Sequence, residues 1–101
     1  MRESTIEAKL KALCVLHGAR VHKLHRCRNG EADRIICPRG RQAFYCEVKK
    51  PGEALSDTQV IRQTEAAKAG FATVIFDGSE SSTALLFRFF NPTRLEILNA
   101  R

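Results

Sequence analysis

The sequence predicts an α/β domain in which helices pack on a small mixed sheet. Three observations carry that expectation. The N-terminal segment has apolar residues at helical spacing. Three strand-like runs then follow one another through short turns, as in an antiparallel meander. A second helical segment precedes a fourth apolar run, which is the layout of a crossover to a parallel partner. With 101 residues, 44% of them apolar, the chain fits one domain and one core over residues 1–101. It shows no linker, repeat or low-complexity stretch.

The elements can be justified in order. Residues 4–17 repeat Ile6, Leu10, Leu13 and Cys14 along one helical face. Ser4 and Glu7 have the spacing of a capping box, and Gly18 is placed to stop the helix. At about 100° per residue, Glu7 falls on the edge of the apolar stripe and borders the core. Residues 20–26 alternate weakly as a strand. Residues 32–37, "ADRIIC", read as a better strand that ends at Pro38, and "PRGR" as a turn. Residues 42–49, "QAFYCEVK", alternate most clearly. Ser56 opens a second helix to about Lys68, with Gln59 completing a second capping box, and Gly70 ends it. Residues 71–76, "FATVIF", read as a buried strand and residues 81–90 as a helix. The tail from Pro92 fits either helix or strand.

Charge and cysteines narrow the function classes. The net charge is +6. Between Arg20 and Lys50 there are nine Lys/Arg and three Asp/Glu, and the rest of the chain has eight of each. The whole excess therefore sits on the central segment, and a localised basic surface attracts phosphate backbones. Arg26, Arg28, Arg39, Arg41 and Lys50 are the expected phosphate contacts, with Lys23 nearer the centre. The four cysteines, at 14, 27, 37 and 46, form no C-x-x-C pair, and the histidines have no metal-binding helix spacing. Reduced, mostly buried thiols are expected. The longest apolar run, Ala12 to Leu16, is far short of the roughly 20 residues that span a bilayer. The charged N-terminus does not resemble a signal peptide. A cytoplasmic protein without a membrane partner is the expectation.

The acids of the basic segment converge. Asp33 opens the second strand and Glu47 closes the third. A short turn around Gly40 makes the two strands an antiparallel hairpin, so the two acids become cross-strand neighbours. Strand alternation puts Lys49 on the same face as Glu47, opposite Phe44, Cys46 and Val48. Two carboxylates can share one hard cation, Mg²⁺ or Mn²⁺. A lysine beside them suits phosphodiester hydrolysis, because it can orient a water and offset charge developing on phosphorus. An acidic centre within a positive rim draws in a polyanion and keeps a cation. The alternative is a set of salt bridges from these acids to Arg34 or Lys49. For Glu7 and Gln59 the alternative is helix capping alone.

Asp33 followed by Glu47-Val48-Lys49 resembles the D…E-x-K signature of the PD-(D/E)xK nuclease superfamily. In longer context, "GEADRI", "GRQAFYCEVKKPG" and "LSDTQ" resemble the virus-type replication-repair nuclease (VRR-NUC) domain from about Glu7 to Phe76. Ala32 stands where that family usually has proline, a position that supplies no ligand. The resemblance implies a restriction-endonuclease-like αβββαβ core. It implies metal binding by Asp33, Glu47, the Val48 carbonyl and Glu7, with Lys49 positioning the water and Gln59 belonging to the catalytic set. It also implies a metal-dependent DNA endonuclease, in viral members linked to branched DNA such as four-way junctions, which would act in the host cytoplasm.

Two rival functions differ in class: a non-catalytic nucleic-acid-binding module and an interaction subunit. Clustered carboxylates repel phosphate, which argues against the first. Leu85, Leu86, Phe87, Phe89 and Phe90 form an apolar cluster too broad for one helix stripe. It is the expected surface of a homodimer that would set two sites on one junction.

Overall fold

A computed structural model describes residues 2–25 and 29–90. The elements are α1 (Glu3–Leu16), β1 (Arg20–Lys23), β2 (Arg34–Cys37), β3 (Phe44–Val48), α2 (Asp57–Lys68), β4 (Thr73–Phe76) and α3 (Glu80–Phe90). The sheet order is β1-β2-β3-β4. β1 pairs antiparallel with β2, β2 antiparallel with β3, and β3 parallel with β4. The result is a small α/β domain with three helices around a four-stranded mixed sheet, as the run order predicts. Arg26, Arg28 and the segment from Pro92 lie outside the described residues.

Helices α1 and α3 cover one face, each through a stripe repeating every four residues. α1 buries Ile6, Leu10 and Cys14, and α3 buries Ser82, Leu86 and Phe90. Residues four apart lie on one side of a helix. The sheet answers with Ile36, Phe44, Cys46, Val48, Val74 and Phe76, which join them in one core. Full burial of side chains of this size contributes about 1.5–3 kcal/mol each. α2 lies over the opposite face and buries none of its residues.

Several boundaries tighten. β2 starts at Arg34, leaving Ala32 and Asp33 just ahead of the strand, and β4 starts two residues later than the apolar run. The capping box expected at Ser4 and Glu7 is not formed. Arg2 is the cap residue of α1 and makes no side-chain capping bond. The amides of Thr5 and Ile6 both donate to the Arg2 carbonyl, so Ser4 is already inside the first turn. The Glu7 carboxylate is taken by Arg34 instead. The box at Ser56 and Gln59 forms in full.

The apolar cluster of α3 is mostly spent internally. Leu86 and Phe90 are buried, Phe87 and Phe89 pack against the core, and Leu85 alone of the five is counted as exposed. The His17 ring lies 4.7 Å from Phe87 and 5.0 Å from Phe90. Cys14, Cys37 and Cys46 are free thiols. Burial pushes Cys14 up to about 11 and Cys46 up to about 12, so both stay protonated and inert. Among the described residues no helix is long and apolar enough to cross a membrane.

Candidate active site

Glu47 is the one buried carboxylate among the described residues. It sits on β3 opposite Ile75 of β4, on the face that α2 overlies. Residues 45, 47 and 49 are less uniformly buried than Phe44, Cys46 and Val48, as the two-residue period requires. The β2–β3 register pairs Arg34 with Cys46. One further step sets Asp33 opposite Glu47, where the Asp33 backbone pulls the Glu47 carboxyl down. On the other side, the Asp33 carbonyl accepts from the Leu24 amide at 2.6 Å.

Burial pushes the Glu47 carboxyl above its ordinary range, and the nearby Asp33 charge pushes it further, while Lys49 and Arg34 pull the other way. Burial also raises Asp33, with the Glu3 charge adding to it, against the pull of its own backbone, Lys23 and Lys49. The Asp33 charge thus adds to the rise of Glu47, and a cation beside Glu47 would relieve it. Lys23 closes β1 opposite Arg34, and Lys49 follows β3 with its amide on the Phe76 carbonyl at 3.1 Å. Both ammonium groups are near enough to lower Asp33. Val48, buried between Glu47 and Lys49, holds the strand end in the core.

Gln59 makes both of the contacts that were open to it. Its Oε1 accepts from the Ser56 amide at 2.9 Å, and its Nε2 donates to Glu47 Oε1 at 3.1 Å. The cap fixes the amide and the amide fixes the carboxylate. The salt bridge considered for Asp33 is present too: Arg34 Nη1 donates to Asp33 Oδ1 at 2.6 Å. Arg34 Nη2 donates to Glu7 Oε1. Glu7 is thus linked to Asp33 through Arg34.

Arg34 is 4% exposed, and its role was not read from the sequence. The signal was there, because alternation puts Arg34 in phase with Ile36 on the core side. A second unforeseen residue is Gly30. A Cβ on it would lie 2.4 Å from Thr58 Cγ2 and 2.7 Å from the Thr58 backbone carbon. Its φ of +83° also favours glycine. The Asn29 carbonyl accepts from Arg62 Nε at 3.2 Å. This turn therefore seats the first turn of α2, and with it Gln59.

The basic residues separate. Lys23, Lys49 and the exposed Lys50 lie at the acid end of the strands. Arg39 and Arg41 lie in the β2–β3 turn at the far end, where the Arg41 guanidinium donates to the Arg88 carbonyl at 3.2 Å. The four-residue length of β2 sets the two ends roughly 10 Å apart. Among the described residues no group of three or more His, Cys, Asp or Glu side chains gathers as a metal cluster. Two carboxylates still suit Mg²⁺, which keeps most of its waters and takes one or two protein acids. No family model, curated protein or solved structure matches this chain.

Proposed function

We propose that the chain is a divalent-metal-dependent endonuclease that hydrolyses DNA phosphodiester bonds. The observation that carries this reading is the meeting of Asp33 and Glu47 across the β2–β3 hairpin with Lys49 beside them. Glu47 is raised by burial and by the Asp33 charge, a cost that a bound cation would release. The order αβββαβ, with a helical crossover to a parallel fourth strand, is also what a restriction-endonuclease-like core of the VRR-NUC kind needs.

In this reading Asp33 and Glu47, with the Val48 carbonyl, hold Mg²⁺ or Mn²⁺. Glu7 supports them through Arg34. What the cation supplies when bound is polarisation of the phosphate and a more acidic water. The chain's own residues do the rest. Gln59 fixes the Glu47 carboxylate, so its geometry is set before substrate arrives. Lys49 orients the attacking water and offsets the negative charge that grows on the phosphoryl oxygens. Lys23 and Lys50 hold the flanking phosphates. Branched DNA, four-way junctions first, is the substrate that the family resemblance implies, and a two-fold homodimer would set two such sites on one junction.

The test is incubation with plasmid and a synthetic junction in Mg²⁺, Mn²⁺ or EDTA. Cleavage is expected with either metal and not in EDTA. Lys49→Ala should lose about a hundredfold or more in rate while still folding. Wild-type cleavage in excess EDTA, or comparable turnover by Lys49→Ala, would sink the mechanism.

A further inference from the structure

Between α2 and the sheet lies a cavity of about 330 Å³, lined in part by Tyr45, Thr73, Arg62, Gln63, Ala66 and Glu31. Its position follows from an inverted helix. α2 turns Val60 and Ile61 outward, 49% and 53% exposed, while Ala66 and the polar Arg62 and Gln63 line the space facing the sheet. A helix that served only packing would place its branched apolar residues inward. Here small and polar residues leave the space open.

The lining has the chemistry of a site for a planar heterocycle. The half-buried Tyr45 ring is braced by Phe71 at 5.6 Å. Arg62 is held in place by Glu65 at 2.8 Å and by the Asn29 carbonyl. Arg62 and the Gln63 amide offer donors, and Gln63 and Glu31 offer acceptors, to the edge of a flat ring. The volume lies at the small end of ligand sites, about 300–1,000 Å³.

The cavity also adjoins the acids. Tyr45 and Glu47 share one face of β3, about 7 Å apart by strand rise, which is the reach from a base to its own phosphate. Ala32, next to Asp33, lines the same cavity. We propose that this cavity receives one unpaired nucleobase of the substrate, stacked on Tyr45, so that the adjoining phosphate lies at the Asp33–Glu47 pair. The proposal deepens the nuclease reading and rests on it. It makes an unpaired nucleotide beside the scissile bond the feature that is recognised, because a stacked and paired base cannot enter.

The experiment compares two duplexes of equal length, one fully paired and one with a single extra unpaired 2-aminopurine. Affinity and 2-aminopurine fluorescence are read in EDTA. The wild type should bind the bulged duplex about tenfold more tightly and quench its probe. Ala66→Trp fills the cavity without removing a contact, and Tyr45→Ala removes the stacking ring. Both should bring the affinity ratio to about one, with an unchanged circular dichroism spectrum for at least Ala66→Trp. Equal wild-type affinity for the two duplexes, or a preference that survives in Ala66→Trp, would overturn the proposal. Cleavage in Mg²⁺ is scored separately. Its absence on every DNA would count against the nuclease reading, while the binding contrast judges the cavity.

Discussion

The two faces of the sheet are built on opposite terms. Under α1 and α3, Leu10, Ile36, Phe44, Val74, Phe76 and Leu86 are all within 1% of complete burial. Under α2, no helix residue is buried and Ile35, Tyr45, Thr73 and Ile75 stay half-covered. The first face supplies cohesion. The second carries Glu47, Lys49 and the cavity, and it is held by a helix cap, one glycine contact and a few polar bonds. Strands rooted in a dense core can afford a loosely covered functional side, because β3 is anchored from the other side by Phe44, Cys46 and Val48. In the proposed function, the region that admits the ligand is drawn from the less densely packed part of the fold.

The contrast can be broken at its strongest point. Phe44→Ala should cost about 3–5 kcal/mol in denaturant unfolding, enough to unfold much of the population. A loss near zero would mean that the α1–α3 face is not the source of stability. The next effect tests the seam between the faces. Arg34→Met leaves Glu7 and Asp33 without their shared cation, and it should cost about 3 kcal/mol, the lower end for a broken buried pair. The two carboxylates keep some contact with water, at 29% and 42% exposure. A stabilised Arg34→Met would show that the guanidinium is a burden rather than a tie.

A smaller effect sharpens the electrostatics. The Glu47 carboxyl is raised in the folded protein, chiefly by burial. The folded state therefore holds its proton more tightly than the unfolded state. That contribution to stability is full below the ordinary glutamate range and is lost as pH rises through the raised value. Glu47→Gln should melt higher than the wild type at pH about 7 without metal, and the two should converge near pH about 4. A mutant that melts lower at neutral pH would reverse the sign. The smallest effect lies on the outer side of α2. Ile61→Ala should change stability by no more than about 0.5 kcal/mol, and a larger loss would reveal a covering partner for that surface.

What could be read from the sequence was whatever local rules decide. The β3 alternation, the Ser56–Gln59 box and the pairing of Asp33 with Glu47 all follow from short-range spacing. The failures come from contacts between distant segments. Ser4 and Glu7 have a capping pattern, yet Arg34, 27 residues away from Glu7, claims the carboxylate. Gly30 resembles any turn glycine until Thr58 is seen against it. The division of the basic residues between two ends was implicit in the hairpin itself, since its turn must lie opposite the end where Asp33 and Glu47 meet. The space behind Tyr45 was hidden, because no spacing rule tells which side of α2 faces the sheet.

The strand order in space repeats the order in the chain, and that has a kinetic consequence. Each pairing joins sequence neighbours, so the loops to be closed are short, except the crossover through α2. Closing the β2–β3 hairpin alone brings Asp33 to Glu47. The acid pair therefore belongs to the most local part of the topology and can assemble before the crossover does. Gln59 arrives only when α2 docks. Topology thus places the two like charges within a locally closed hairpin, and the amide that steadies one of them on the segment that closes the longest loop.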